Sequence, residues 1–278
     1  MFSDSPPAAI ALPYSAGVGS SGRQDHSANV ARPKSIELPD GTLIPVLYED
    51  RAVLAIDKPA GWLLAPESWN RTSRNLHLAL TSGVESGEFW ARSRNLKFLR
   101  FVHRLDAETS GVLLLVKSPG AAPAYGRLFE TGRVDKIYLA VVQGAPKRRS
   151  WVCRLKLAPF PGGVGRMKVD VRRGKDAETQ FRVLQTGRDT ALVEVRPHTG
   201  RTHQIRVHLA ESGHPVLGDA LYGPIPDDRR PTTGNRPPVS LALRAVSLAY
   251  HDPFQKRSIR IAAPAREFCE QFGFTFSG

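Results

Sequence analysis

From Ile44 onward the chain runs as short apolar stretches punctuated by Gly and Pro, a pattern that predicts strands and turns more often than helices. The best strand candidates are Val53–Ile56, Val112–Val116, Ile137–Val142, Phe181–Leu184, Ala191–Val195, Leu241–Leu248 and Ile259–Ile261. In Thr190–Arg196 the charged Glu194 and Arg196 share a parity, so this strand is expected to keep one face wet. Helical spacing with suitable end signals picks out Ala122–Thr131, Thr202–Glu211 and Ala265–Phe272. Gly213 and Pro215 stop the second of these, and Pro264 stands where a first-turn proline is tolerated. Strands broken by isolated helices, with no repeating βαβ rhythm and no internal repeat, predict an α+β domain on a mixed sheet.

Two stretches break this pattern. Residues 1–40 are rich in Ser, Gly, Ala and Pro and are expected to form a flexible tail, leaving 41–278 as the folded domain. Within the tail, Gly17-Val18-Gly19-Ser20-Ser21-Gly22 matches a dinucleotide fingerprint by letter, but without the flanking strand and helix that give that fingerprint its meaning. Residues 223–238, crowded with Pro, Asp and Arg, read as a long surface excursion whose Arg229, Arg230 and Arg236 either touch a polyanion or are simply solvated.

Charge narrows the class. Lys and Arg number 39 against 26 Asp and Glu, a formal net charge of +13. Such a surface favours a polyanionic partner, and the dominance of Arg, which forks onto phosphates and stacks on bases, favours nucleic acid over a membrane. Cys153 and Cys269 stand far apart, outside any disulfide or zinc spacing. With no signal peptide pattern and no apolar run of roughly 20 residues, the protein is expected to be cytoplasmic, soluble and, by default, a monomer.

Two segments concentrate polar side chains beside apolar strands. The first is Arg100-Phe101-Val102-His103-Arg104-Leu105-Asp106-Ala107-Glu108-Thr109-Ser110-Gly111, which runs into the strand at Val112. It is either a site on a rigid strand edge or a turn in which Asp106 and Thr109 bond backbone amides. The second runs from Arg196 to Leu209 and holds His198, Arg201, His203, Arg206 and His208. If Thr202 starts a helix, His203, Arg206 and Val207 share one side of it, and Arg206 can point toward a carboxylate of the first segment. His203 and His208 are five apart with no Glu between them, which is not a zinc spacing. No metal site is expected, and the sequence carries neither a nucleophile elbow nor a phosphate loop.

The run His103-Arg104-Leu105-Asp106-Ala107-Glu108-Thr109-Ser110-Gly111 resembles the signature of the RluA-type pseudouridine synthases. The resemblance continues through Leu47-Tyr48-Glu49-Asp50, Asp57-Lys58-Pro59-Ala60-Gly61, Lys136-Ile137-Tyr138-Leu139-Ala140, Gly200–Leu209, Gly213-His214-Pro215 and Leu217-Gly218-Asp219, in the family's order, from about Val46 to Pro264. It implies a mixed, largely antiparallel sheet flanked by helices and loops. It also implies an isomerase that turns uridine into pseudouridine in ribosomal or transfer RNA, with no cofactor.

Carried over by position, the resemblance makes Asp106 the catalytic carboxylate, packs Tyr138 against the target base and pairs Arg206 with Asp106. Arg104, His103, Arg201 and His203 are then expected on the RNA. The target uridine has to leave its stack, at a cost of a few kcal/mol. Many members of the family carry an N-terminal S4 domain, and the 40 residues of low complexity here are expected to be too few to form one.

Overall fold

The computed structural model describes residues 32–64, 74–162, 165–223 and 240–275. The Gly17–Gly22 run and the arginines at 229, 230 and 236 lie outside these residues. The strands are β1 Ser35–Glu37, β2 Leu43–Glu49, β3 Val53–Lys58, β4 Arg100–Phe101, β5 Ser110–Val116, β6 Val134–Gln143, β7 Ser150–Cys153, β8 Leu157–Pro159, β9 Met167–Val169, β10 Thr179–Thr186, β11 Thr190–Pro197, β12 Leu243–His251 and β13 Ser258–Ala262. The helices are α1 Leu76–Glu85, α2 Phe89–Arg92, α3 Ala122–Glu130, α4 Gln204–Glu211 and α5 Arg266–Gln271. Eleven strands form one sheet whose main path is β1-β2-β3-β5-β12-β6-β11-β10-β7, and β8 and β9 pair apart from it.

Every pairing in the large sheet is antiparallel except β5 with β12, where Ser110 and Gly111 lie opposite Arg244 and Ala245. This is the mixed α+β architecture that the pattern predicted. Alternation along the central strands feeds two cores. Leu54, Ile56, Leu113 and Leu115 face one side, where Trp62, Leu76, Leu80 and Trp90 pack, while Val53, Ala55, Val112, Leu114 and Val116 face Tyr125 of α3 on the other. A strand covered on both faces reads as an unbroken apolar run, as Val112–Val116 does.

The same double coverage corrects the reading of β11. Glu194 was expected on a wet face but is buried, accepting from Arg182 at 2.9 Å and from Arg196 at 3.0 Å. Burial opposes its charge, and the two guanidiniums outweigh burial and hold its carboxyl below the usual range. The expected tail boundary also moves. Within 1–40, Ser35–Glu37 forms β1 against Leu43–Pro45, because Ile36 and Leu38 are apolar enough to bury completely or nearly so.

Gly111 is where the sheet changes direction. Its φ is +113°, and a Cβ there would stand 2.0 Å from the carbonyl oxygen of Ala245 on the parallel neighbour. Gly111→Ala is therefore expected to cost roughly 3 kcal/mol or more, read as a lower midpoint in urea with an unchanged slope.

Candidate active site

The segment between β4 and β5 is held from beneath by a lysine. Lys58, at the end of β3, is fully buried, and its ammonium donates to the carbonyls of Pro59 at 2.9 Å, Ala107 at 2.7 Å and Thr109 at 2.9 Å. Gly61 N–H adds a second bond to Ala107 O, and Thr109 N–H closes the turn onto Asp106 O. At the other end of the segment, Arg244 ties Ser110 Oγ at 3.2 Å to Asp57 at 2.6 Å. Burial pushes the Lys58 ammonium down to about 8, with the Glu108 and Asp106 carboxylates opposing. Lys58→Met is expected to take this donor from the Pro59 and Thr109 carbonyls, leaving Ala107 O its bond from Gly61 N–H, and to lower stability by roughly 2–3 kcal/mol, measured by denaturant unfolding.

This scaffold frees the Asp106 side chain for the cleft. Among the described residues its carboxylate takes no backbone amide, so the turn-closing alternative does not hold for it. Instead Arg206 Nη1 lies 3.5 Å from Oδ2 and His203 Nε2 lies 3.9 Å from the same oxygen. Tyr138 of β6 is buried close enough to feel the charge: burial first, then Asp106, raise its phenol well above the usual value.

Arg206 is shared. Its Nε and Nη2 grip Asp219 in a bidentate pair, both at 2.7 Å, while Nη1 is the nitrogen turned to Asp106. Asp219 is in turn fixed by the amides of Leu221 at 2.9 Å and Tyr222 at 3.1 Å. Burial would raise the Asp219 carboxyl, but Arg206 and those amides outweigh it and hold it below the usual range. The Tyr222 ring lies 5.2 Å from the guanidinium, and its hydroxyl bonds His203 Nδ1 at 2.8 Å while accepting from Met167 N–H. A forked contact of this kind leaves the guanidinium one orientation.

Helix α4 begins at Gln204, not at Thr202, because His203 adopts a left-handed conformation with φ of 51° just ahead of it. His203 and Arg206 still reach the same carboxylate, but Val207 turns the other way onto Leu157 and Ala177. The loop before α4 is pinned by Gln204, whose Oε1 accepts from Thr199 Oγ1 at 2.7 Å and Arg201 N–H at 3.0 Å. His208 is buried, with one ring nitrogen on Thr179 Oγ1 and the other on Leu155 O, so it takes no part in the cleft. Among the described residues no three His, Cys, Asp or Glu converge.

The cleft so formed has a volume of about 580 Å³, large enough for a nucleoside, and Arg104 and Arg201 are exposed on its lining. Arg104 makes no ion pair among the described residues, whereas Arg201 Nε is spent on Asp176 O at 3.0 Å. The His203 imidazole is held below its ordinary range, since burial and the Arg206 and Arg104 charges lower it more than Asp106 and Asp219 raise it.

His103 lines the cleft from a fixed position. Its Nε2 accepts the Leu114 N–H at 2.9 Å and its ring stacks 4.5 Å from Phe129. Burial and the Lys136 charge push it down to about 3. A ring that stays neutral brings no charge to a phosphate, and His103 serves as a fixed part of the cleft wall.

Asp219, Tyr222 and Lys58 were not among the expected site residues. Lys58 and Asp219 fall within blocks that the sequence comparison marked, but without a chemical role. Tyr222 follows the last such block by three positions.

The mixed, mostly antiparallel sheet is the fold of solved pseudouridylate synthase domains. The protein titled human RNA pseudouridylate synthase domain containing 1 superposes with a TM-score of 0.60 at 27% identity, covering 80% of this chain and 83% of that one. Human RNA pseudouridylate synthase domain containing 4 shares the fold, with a TM-score of 0.60 at 24% identity over 79% of this chain. The family model for RNA pseudouridylate synthase matches residues 52–211, and the chain belongs to that family.

Ribosomal large subunit pseudouridine synthase C of Buchnera aphidicola subsp. Schizaphis graminum (strain Sg) is 34% identical over 231 residues, 79% of this chain and 66% of that protein. The protein of the same name from Escherichia coli (strain K12) is 34% identical over 229 residues, with 80% and 66% covered. An uncharacterized RNA pseudouridine synthase of Chlorobaculum parvum is 32% identical over 262 residues, 86% of this chain and 76% of the relative. The chain thus spans somewhat less than two thirds of the length of the first two.

Proposed function

We propose that the protein isomerises uridine to pseudouridine in the RNA of the large ribosomal subunit. The observation that carries this reading is the Asp106 carboxylate, 3.5 Å from Arg206 and beside the buried Tyr138 in a cleft of nucleoside size. Family membership supports the reaction type, and the printed names of the relatives support the RNA class.

The reaction breaks the bond from ribose C1′ to the uracil nitrogen, turns the base, and rejoins C1′ to ring carbon 5. That carbon loses its proton and the freed nitrogen gains one, so the product is an isomer. Nothing is oxidised and no group is donated, which is why the chemistry makes no demand for a cofactor. Asp106 starts the sequence as nucleophile or as base, with Arg206 holding the carboxylate in place. Tyr138 stacks on the extruded uracil, recovering on the order of 1–3 kcal/mol of the lost base stacking. Arg104, exposed beside Asp106, fills the gap left by the base or holds a phosphate.

The test is to incubate the purified protein with an unmodified transcript of large-subunit ribosomal RNA and map pseudouridine by chemical labelling. Discrete modified uridines are the expected result. An unmodified transcript, alongside an unmodified transfer RNA in the same assay, overturns the reading, whereas modification of the transfer RNA alone moves the substrate class and leaves the chemistry standing.

A further inference from the structure

One cation in the cleft has no task so far. Lys136 lies on β6, two residues before Tyr138, so both side chains leave the same face of the strand, about 7 Å apart along it. Both line the cleft. The Lys136 ammonium donates to one acceptor, the carbonyl of Thr199 at 3.1 Å, and among the described residues it faces no carboxylate in an ion pair. An ammonium carries three donors, so two remain for something that enters the cleft.

Its partner is rigid. Thr199 is locked by its hydroxyl, which accepts Glu178 N–H at 3.0 Å and donates to Gln204. The Thr199 bond therefore aims the ammonium without neutralising it. Burial alone pulls Lys136 down to about 8, as expected for a cation held short of a counter-ion.

Lys136 takes no part in the ion pairs of the reacting group: Asp106 faces Arg206 and His203, while the Lys136 ammonium is turned to the Thr199 carbonyl in the loop before α4. A uracil held between Asp106 and Tyr138 would leave Lys136 beside the next part of the strand. The anion available there is a phosphodiester.

Resting on the functional reading above, the geometry points to Lys136 as the binding site for a backbone phosphate of a nucleotide flanking the target uridine. It would fix how far the strand enters the cleft. Its contribution is to substrate positioning, since it touches no reacting atom. A neutral uracil carbonyl is the competing ligand, and salt dependence separates the two, because only a neutralised phosphate releases a counter-ion.

The experiment measures RNA binding from 50 to 300 mM salt in the Asp106→Asn background, so that the transcript of large-subunit ribosomal RNA stays unmodified. Adding Lys136→Met is expected to weaken binding about tenfold at low salt. It should also flatten the slope of log K against log salt by about 0.7 to 0.9. Lys136→Arg should restore the slope. In the otherwise wild-type enzyme, Lys136→Met should raise KM far more than it lowers kcat.

A slope unchanged by Lys136→Met overturns the phosphate assignment, including the case in which the variant merely melts earlier through loss of the Thr199 bond or binds less tightly through a carbonyl contact. If the wild-type protein modifies the transcript and the slope does not move, this inference alone fails. If the wild-type protein modifies no RNA, the functional reading fails with it.

Discussion

Asp106→Asn is expected to abolish pseudouridine formation, with a loss of at least about 10³-fold in kcat, and to leave the fold intact. Asparagine has nearly the same shape, and its carbonyl still offers Arg206 Nη1 an acceptor where the carboxylate stood at 3.5 Å. The side chain is 17% exposed and its loop is held through backbone carbonyls by Lys58, so the substitution disturbs no packing. What it removes is the negative charge, and with it both nucleophilic and basic character. Single-turnover labelling together with a thermal melt checks both halves. Turnover at a comparable rate in a well-folded variant sinks the assignment of Asp106.

Asp219→Ala is expected to be the most damaging change to stability among the cleft residues, at about 3–5 kcal/mol. Asp219 is wholly buried in its side chain and supplies the bidentate partner of a guanidinium that is itself 7% exposed. Removing it leaves that cation short of solvent, with the 3.5 Å contact to Asp106 as its remaining ion pair among the described residues. Activity is expected to fall as well, because Arg206 loses the fork that orients Nη1. Asp219→Asn retains one good acceptor and should lie between the two.

The pH dependence has a definite sign. The native carboxyl of Asp219 is held below its ordinary value, so its contribution is fully present above about pH 3.9 and disappears as pH falls through the depressed native value. The difference between wild type and Asp219→Ala in urea midpoints should therefore be constant near neutrality and shrink in acid. A difference that grows in acid contradicts the buried-pair account.

Much of the sheet was legible. Every strand expected from an apolar run is present, from β3 to β13, because runs such as Val112–Val116 and Ile137–Val142 have to be buried and the pattern records that need. Short elements escaped it. β1, β4, β7, β8 and β9 span two to four residues, and α2 has four, too few for a period to register. α1 was hidden for another reason: Thr81, Ser82 and Gly83 are weak helix formers. The helix is held by the Asn75 cap and by packing of Leu76 and Leu80 in the core.

At the site the same division holds. The family resemblance singled out Asp106, Tyr138 and Arg206 by position, and the fold brings all three to the lining of one cleft. Partnerships could not be read that way. That Arg206 gives two nitrogens to Asp219 and one to Asp106, that Lys58 ties down a turn 49 residues away, and that His103 accepts the Leu114 amide are consequences of how the chain folds. Local pattern reports burial and residue chemistry, which are properties of neighbours along the chain. Hydrogen bonds and ion pairs decay within a few ångströms and join residues that only the folded chain brings into reach.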